Sequence, residues 1–260
     1  MKQTVTNQEK FPIRDRQEDS NLFLAIQKLF NSARLDAALA SEFEQSLKVY
    51  NLELGDEAFN SIVPDSTQNN VLGEHNGNNF YIVSQGRVRL LGVDALGHQE
   101  VSAVVLEEGE TFGADGLLCD RAHVYRAIAA GALQVACLEA GQLERWLERL
   151  PALREYLKGE TQKRQRQIFF KTSTDLRRLP SHQLREIVPN IVEIRISSGE
   201  SLAQAAPASG GRYWLASGEL SRGKNGEVVS DLFPSWGYPE ATPSDWVAKT
   251  DLLVYQLGIE

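Results

Sequence analysis

The chain has 260 residues, of which 42% are hydrophobic and 24% are charged, a composition typical of a folded protein that can bury a core. Its net charge of −8 argues against general binding to the phosphates of nucleic acids, and the lack of a long apolar run excludes a membrane span. Two cysteines, Cys119 and Cys137, are too few for a disulfide framework or a zinc site and predict a reducing cytoplasmic compartment.

The N-terminal part is predicted to be helical after a disordered lead-in. Residues 1–18 are polar and contain no apolar segment of the kind that a secretory signal needs. Ser20 can cap a helix whose apolar residues recur at helical spacing, and these are Leu22, Phe23, Ile26, Leu29 and Phe30. A second helix is predicted from about Leu35 to Leu47.

A block rich in β-strands follows these helices. The segment KVYNLEL alternates between apolar and polar residues, and FYIVSQGRVRLLGVDALGHQEVSAVVLEEGE predicts short strands broken by glycines. AIAAGALQVACLE closes the block, and GQLERWLERLPALREYLKGETQKRQRQIFFK then predicts a return to helix, with Pro151 suited to a first helical turn.

The same order of elements then occurs again. Three anchors recur, namely a turn glycine, a strand and an aromatic-glycine pair: Gly55, residues 81–88 and Phe112-Gly113, then Gly199, residues 213–220 and Trp236-Gly237. This repetition predicts two copies of one β domain. The predicted organisation is a lead-in over 1–18, a first domain over 19–150, a connecting helix over 151–175, and a second, degenerate domain over 176–260.

Four segments, YIVSQGRVRL, LEEGETFG, GLL and LERWLERLPALREYL, resemble the cyclic-nucleotide-binding domain of catabolite-activator-type regulators, cyclic-nucleotide-dependent kinases and gated channels. The resemblance covers roughly residues 45–171 and 176–260. It implies an α+β fold of two antiparallel β-rolls of the jelly-roll type with flanking helices. Tandem copies are also similar to regulatory N-terminal regions of some cyanobacterial peptide exporters, although this chain ends with the second copy.

The family carries a phosphate-binding cassette after its Phe-Gly pair, and the resemblance places it here in ETFGADGLLCDRAHVYRA. A short helix there offers backbone N–H groups to an anion, a glutamate binds the ribose hydroxyl, and an arginine pairs with the phosphate. The residues that match or stand nearest to this pattern are Phe112, Gly113, Asp115, Gly116 and Leu117. Ala114 occupies the place of the glutamate.

The arginine of the cassette can be aligned in two ways. Arg121 matches it when the alignment runs forward from Phe112-Gly113, whereas His123 or Arg126 takes that place when it runs backward from QVACL. The alternative is that the arginines are ordinary solvated charges that pair with Asp115 or Asp120. His123 has no second histidine or cysteine at metal-ligand spacing, so no metal site is predicted.

The second copy lacks both parts of the anion site. Its segment GYPEATPSD contains Pro239 and Pro243 and no arginine, and proline, which has no N–H group, breaks a short helix. We therefore expect the second copy to be structural.

Basic residues are concentrated in residues 158–185, where eight lysines and arginines outnumber two acidic residues. One interpretation is a solvated helix face. The other is a secondary basic patch that contacts an anion or a partner, formed by Lys163, Arg164, Arg166, Arg177 and Arg178.

The sequence contains no GxSxG, GxxxxGK[ST] or HExxH motif, so no enzymatic activity is predicted. The first hypothesis is a receptor for a nucleotide second messenger, with cyclic di-GMP ranked before cAMP and cGMP because the ribose glutamate is missing while arginines are kept. The expected output is a protein partner, such as a catabolite-activator-type transcription factor, with no direct contact to nucleic acid or membrane. By analogy with the family we expect a homodimer. The alternative is a ligand-free interaction scaffold, or the regulatory region of a peptide exporter.

Overall fold

The computed structural model describes residues 16–36, 38–62, 79–95, 99–119, 122–223, 226–230 and 234–259, and it confirms the predicted α+β class with antiparallel sheets and flanking helices. The helices are α1 (Arg16–Ser32), α2 (Ala38–Glu44), α3 (Asp115–Leu118), α4 (Ala140–Arg149), α5 (Pro151–Ser173), α6 (Ser181–Ile187) and α7 (Leu202–Ala205). Short 3-10 turns span Asp175–Arg178, Val188–Asn190 and Ala208–Gly210.

The strands alternate with these helices along the chain. Those before α5 are β1 (Lys48–Leu52), β2 (Glu57–Asn60), β3 (Phe80–Gln85), β4 (Val88–Val93), β5 (Glu100–Leu106), β6 (Thr111–Gly113), β7 (Arg126–Ala129) and β8 (Leu133–Leu138). Those after α5 are β9 (Ile191–Ile196), β10 (Arg212–Ser217), β11 (Leu220–Arg222), β12 (Glu227–Val228), β13 (Ser235–Gly237), β14 (Trp246–Ala248) and β15 (Leu252–Leu257).

Helix α1 begins earlier than the sequence pattern predicts. It starts at Arg16, so the predicted disorder of residues 16–18 is wrong, and the reason is that arginine, glutamine and glutamate are good helix formers. The rest of the predicted lead-in, residues 1–15, lies outside the described residues.

The chain divides into two compact units. The first comprises residues 1–89, 106–121 and 126–159, and the second comprises 90–105, 122–125 and 160–260. The division within α5 falls after residue 159, inside the connecting helix that the sequence predicts over 151–175. The predicted domain boundaries, which describe sequence copies, stay a prediction.

The first unit is built on an antiparallel sheet with the strand order β1-β8-β3-β6. Tyr81 at its centre lies opposite Cys137 on β8 and Phe112 on β6. The register shifts between Val83 and Gln85, which is a β-bulge. β2 pairs antiparallel with β7 in another sheet. The strand that leads into α3, β6, therefore lies at the edge of the sheet with the order β1-β8-β3-β6, beside the central strand β3.

Helices cover one face of this sheet and form the core of the first unit. Of the apolar residues predicted for this helix, four are buried and Phe23 is half-buried; the buried ones are Leu22, Ile26, Leu29 and Phe30. They share one hydrophobic cluster with Phe80, Ile82, Ala136 and Leu138 of the sheet and with the buried residues of α2 and α4. The aromatic rings of Phe30, Phe43 and Trp146 meet edge to face within this cluster, at centroid distances of 5.3 and 5.1 Å.

The second unit contains an antiparallel sheet with the order β13-β10-β15-β9 and a smaller sheet with the order β12-β11-β14. Tyr213 of β10 lies opposite Trp236 on β13 and Gln256 on β15, and the register shifts between Leu215 and Ser217.

Within the described ranges, no helix of the chain combines the length and the apolar character that a membrane span requires.

The second half of α5 belongs to the core of the second unit. Phe169 and Phe170 share a hydrophobic cluster with Trp214 and Tyr255 of the sheet and with Leu184 of α6. The ring of Phe170 packs perpendicular to that of Trp214 at 5.2 Å between centroids. Helix α5 is therefore a core element of this unit, and not only a spacer.

Candidate functional site

The predicted cassette begins at a tight turn between β6 and α3. Gly113 has a φ of +78°, and a Cβ atom at this position would lie 2.1 Å from the carbonyl oxygen of Asn79. Ala114 follows in the left-handed region, with a φ of 54°, and α3 begins at Asp115. Only glycine fits Gly113, because a side chain would overlap the backbone and would also disfavour the positive φ.

Phe112, the residue before this turn, packs in the core of the first unit. Its ring is fully buried and stacks on that of Tyr81 at 4.8 Å between centroids, with 11° between the planes. Burial raises the pKa of Tyr81, so its hydroxyl stays neutral. Cys137 lies opposite Tyr81, and burial raises the pKa of its thiol to about 11, which makes it an inert packing residue. Phe112 therefore acts through packing.

The residues after Gly113 differ in how far they face solvent. Ala114 is fully buried in the hydrophobic cluster with α1, α2 and α4, so the position where the family carries its glutamate lies in the core. Asp115 is also buried, whereas Gly116 is exposed and Leu117 is half-buried. Helix α3 is a single turn, closed by the N–H of Cys119 donating to the carbonyl of Asp115 at 2.9 Å.

Of the two predicted cassette arginines, one is held by the protein itself. The guanidinium Nε of Arg126, the first residue of β7, donates to a carboxylate oxygen of Glu57 on β2 at 2.6 Å. Arg121 lies outside the described residues. An anion that used Arg126 would therefore have to share it with Glu57.

His123 lies in the segment 122–125, which belongs to the second unit. Its backbone N–H donates to the side-chain oxygen of Gln165 at 2.6 Å, and its ring packs against Phe169 at 5.5 Å between centroids. Burial lowers the pKa of His123. The imidazole is thus held neutral against α5, and the contacts that surround it are structural.

This environment predicts a pH dependence of stability. The folded-state pKa of His123 lies below the value of 6.5 for a free histidine, so the unfolded chain takes up the proton first and stability falls as the pH drops below about 6.5. We expect His123→Gln to lose less stability between pH 7 and 5 than the wild type does, in urea unfolding followed at each pH. Parallel curves for the two proteins would contradict the burial of a neutral imidazole.

The predicted secondary basic patch is largely engaged in the packing of the second unit. Arg177 binds both carboxylate oxygens of Asp94 at 3.0 and 2.8 Å. Arg166 donates to the carbonyl of Ile191 at 3.2 Å and lies over the ring of Tyr255. Internal acceptors therefore hold the guanidinium groups of Arg177 and Arg166, and an anion or a partner would have to share them. The secondary basic patch stays a prediction.

The other members of the patch differ in exposure and in their partners. Arg164 is buried and donates to Thr161 at 3.2 Å, whereas Lys163 is exposed and pairs with Glu160 at 2.7 Å. Arg178 is exposed on a 3-10 turn. In the part of the chain that the structure describes, no cluster of three or more histidine, cysteine or acidic side chains could hold a metal ion.

Two residues that contact the predicted site residues, Glu57 and Gln165, could not be predicted from the sequence. Glu57 follows a turn glycine and reaches Arg126 only because β2 and β7 pair across 69 positions of sequence. Gln165 is one of several polar residues on α5, and nothing in its neighbourhood predicts a contact with His123. The pairing of distant strands and helices decides both contacts.

Residues 72–150 match the family described as Cyclic nucleotide-binding domain. The match contains β3 to β8 and the predicted cassette, so this part of the chain is similar to such domains in sequence, and its antiparallel sheets with flanking helices have the β-roll fold of that family. The match spans less than a third of the chain. No curated protein sequence matches the chain significantly.

Solved structures with similar coordinates include the regulatory domain of Toxoplasma gondii PKA with cAMP, at 14% identity and a TM-score of 0.41, covering 95% of this chain and 91% of that one. A regulatory subunit of a cAMP-independent protein kinase A from Trypanosoma cruzi bound to guanosine has 16% identity, a TM-score of 0.39 and coverages of 98% and 86%. Thermus thermophilus Catabolite Activator Protein has 21% identity, a TM-score of 0.37 and coverages of 58% and 55%. At these values none of them indicates a ligand for this chain.

Proposed function

We propose that the chain is a non-enzymatic, cytoplasmic receptor for a nucleotide second messenger, built from two copies of one β-roll. The larger sheets of the two units support the duplication. The order β1-β8-β3-β6 in the first unit corresponds strand for strand to β9-β15-β10-β13 in the second. Two sheets that agree in all four places and in chain order favour one repeated domain.

Details of the strand pairing support the duplication further. Tyr81 stacks on Phe112 in the first unit, and Tyr213 stacks on Trp236 in the second, at 14° between the planes. The central strand carries its β-bulge at the same place in both units, after Val83 and after Leu215. Glycines of positive φ recur at each anchor, and these are Gly55, Gly86 and Gly113, then Gly199, Gly218 and Gly237.

We assign the ligand to the first copy. In the second copy, the described residues that follow β13, 238–245, contain no helix, so the short helix that would offer N–H groups to an anion has no counterpart. In the first copy, the turn at Gly113 and Ala114 starts α3. Backbone N–H groups at the start of a helix point toward the same place and suit a phosphate. This turn, inside the segment that matches the family, is the observation that carries the proposal.

The proposed ligand is cyclic di-GMP, followed by cAMP and cGMP. Ala114 removes the acid that would accept a ribose hydroxyl, which favours a ligand with a different sugar geometry and more than one phosphate. Asp115, Gly116 and Leu117 would border the phosphate, and Arg121 would supply its positive charge. Arg126 would contribute by exchanging Glu57 for a phosphate oxygen.

We further propose that the second copy and α5 pass the binding event to a protein partner, such as a catabolite-activator-type transcription factor, and that the protein is a homodimer. The hydrophobic cluster of the first unit contains two residues of the cassette, Ala114 and Leu118. It also contains Trp146 of α4 and Leu153 of α5. A change at the cassette would therefore reach α4 and the start of α5 through direct packing contacts.

Calorimetric titration with cyclic di-GMP, cAMP and cGMP tests this proposal. We expect binding by the wild type and a loss of about 10- to 100-fold in affinity for Arg121→Ala, because one charge-assisted contact to phosphate is removed. Arg126→Ala is expected to lose less, since that arginine also serves Glu57. Arg195→Ala, an exposed arginine of the second unit that belongs to no predicted site, is the matched control and should bind like the wild type.

One observation favours the alternative of a ligand-free interaction scaffold. The position of the family's acid is filled by a core alanine, and Arg126 already has a carboxylate partner, so the described part of the cassette is satisfied by the protein itself. Absence of heat with all three nucleotides would leave this function, whether as an independent scaffold or as the regulatory region of an exporter.

A further inference from the structure

We propose that Gln165 on α5 is a positioning residue for the nucleotide site, because it holds the backbone of residues 122–125, which lie between the two arginines of the cassette segment. The inference rests on the proposed function and extends it, since it assigns the control of the cassette loop to one side chain of a helix that also forms the core of the second unit.

The contact between Gln165 and His123 has two points. The backbone N–H of His123 donates to Oε1 of Gln165 at 2.6 Å, and Nε2 of Gln165 donates to the carbonyl oxygen of His123 at 3.4 Å. Gln165 is only 5% exposed. A buried side-chain amide that pairs with both backbone groups of one residue replaces the ladder that a strand would provide, and its removal takes these partners from two half-buried backbone groups.

A second side chain on the same face of α5 reinforces this contact. Phe169 lies four residues after Gln165, one helical turn along, and packs against the ring of His123. Tyr125, two residues further along the segment, is buried, whereas Val124 between them is exposed. The segment is therefore fixed at His123 and Tyr125, and α5 supplies two of the contacts that fix it.

The position of this segment matters because of its place in the sequence. Residues 122–125 separate Arg121 from Arg126, the two arginines of the proposed site. A movement of Gln165 and Phe169 would also displace the backbone of residues 122–125.

The first test is made without ligand, on the full chain, by amide hydrogen exchange of peptides that cover residues 122–129. We expect Gln165→Leu to exchange about 10-fold faster than the wild type in this region, since loss of a buried hydrogen bond costs about 1.4 kcal/mol. Gln165→Glu keeps the acceptor for the His123 N–H and should lie between the two. Gln167→Leu makes the same change two residues along the helix, at a side chain with no hydrogen bond among the described residues, and should match the wild type.

The second test is the affinity for cyclic di-GMP, or for whichever of cAMP and cGMP the wild type binds, measured by calorimetry on the same variants at a temperature where circular dichroism shows all of them folded. We expect about a 5- to 10-fold loss for Gln165→Leu, a smaller loss for Gln165→Glu, and none for Gln167→Leu. A merely structural role of Gln165 would leave the affinity of the folded variant unchanged, and that result would overturn the proposal.

The two measurements separate failure of this inference from failure of the proposed function. Faster exchange in Gln165→Leu combined with no nucleotide binding by the wild type would establish the contact and overturn both the receptor function and the positioning role. Nucleotide binding by the wild type with unchanged exchange in Gln165→Leu would keep the receptor and overturn only the role of Gln165.

Discussion

Gly113→Ala is expected to lower the free energy of unfolding of the first unit by more than about 3 kcal/mol, enough to leave the unit partly unfolded. The added Cβ atom would lie 2.1 Å from the carbonyl oxygen of Asn79 and 2.9 Å from the ring of Tyr81. Neither neighbour can retreat, because β3 pairs with β6 at this position and the Tyr81 ring is stacked on Phe112. The positive φ of Gly113 adds further strain for any residue with a side chain.

Urea unfolding followed by circular dichroism and tryptophan fluorescence measures this effect. Gly159→Ala is the matched control, since a Cβ atom there meets no atom within 4 Å and the position lies inside α5. This second change should raise stability by about 0.5–1 kcal/mol, because alanine favours the helix more than glycine does. A Gly113→Ala variant as stable as the wild type would contradict the tight turn described before α3.

Phe170→Ala is expected to cost about 3–5 kcal/mol, the range for truncation of a fully buried aromatic residue. The Phe170 ring is completely buried and packs within 5.5 Å of Phe169, Trp214 and Tyr255, measured between centroids. A cavity at this place would remove the contact between α5 and strands β10 and β15 in the larger sheet of the second unit. The same urea experiment should show the loss as a shift of the midpoint of unfolding.

Lys158→Ala provides the control for Phe170→Ala on the same helix. Lys158 is exposed, so its replacement should change stability by less than about 0.5 kcal/mol. A cost below about 1 kcal/mol for Phe170→Ala would contradict the assignment of the second half of α5 to the core of the second unit.

Local patterns predicted the elements well because local physics decides them. The apolar spacing of Leu22, Ile26 and Leu29 predicts the buried face of α1. The repeated aromatic-glycine anchor marks Gly113, which the structure places in a turn that only glycine tolerates. The start of α1 was missed because polar residues with high helix propensity extend the helix beyond its apolar face.

Partners across long stretches of sequence could not be predicted. The basic segment 158–185 has a visible excess of charge, but its composition does not reveal that Arg177 meets Asp94, 83 positions away, or that Arg166 reaches a carbonyl of β9. The resemblance allows Arg126 as a phosphate ligand in one of two alignments, whereas the pairing of β2 with β7 brings Glu57 to it. Charge patterns thus indicate where a site can be, and tertiary pairing decides whether the charges are available.

The central claim, that the first copy binds a nucleotide at its cassette, is tested most directly by nuclear magnetic resonance of the ¹⁵N-labelled chain during titration with cyclic di-GMP, cAMP or cGMP. We predict that the amide signals of Gly113, Asp115 and Gly116 shift with one of these nucleotides, while those of Trp236 and Gly237 at the corresponding place of the second unit stay unchanged. Unchanged cassette amides at saturating concentrations of all three nucleotides, or shifts confined to the second unit, would contradict the claim.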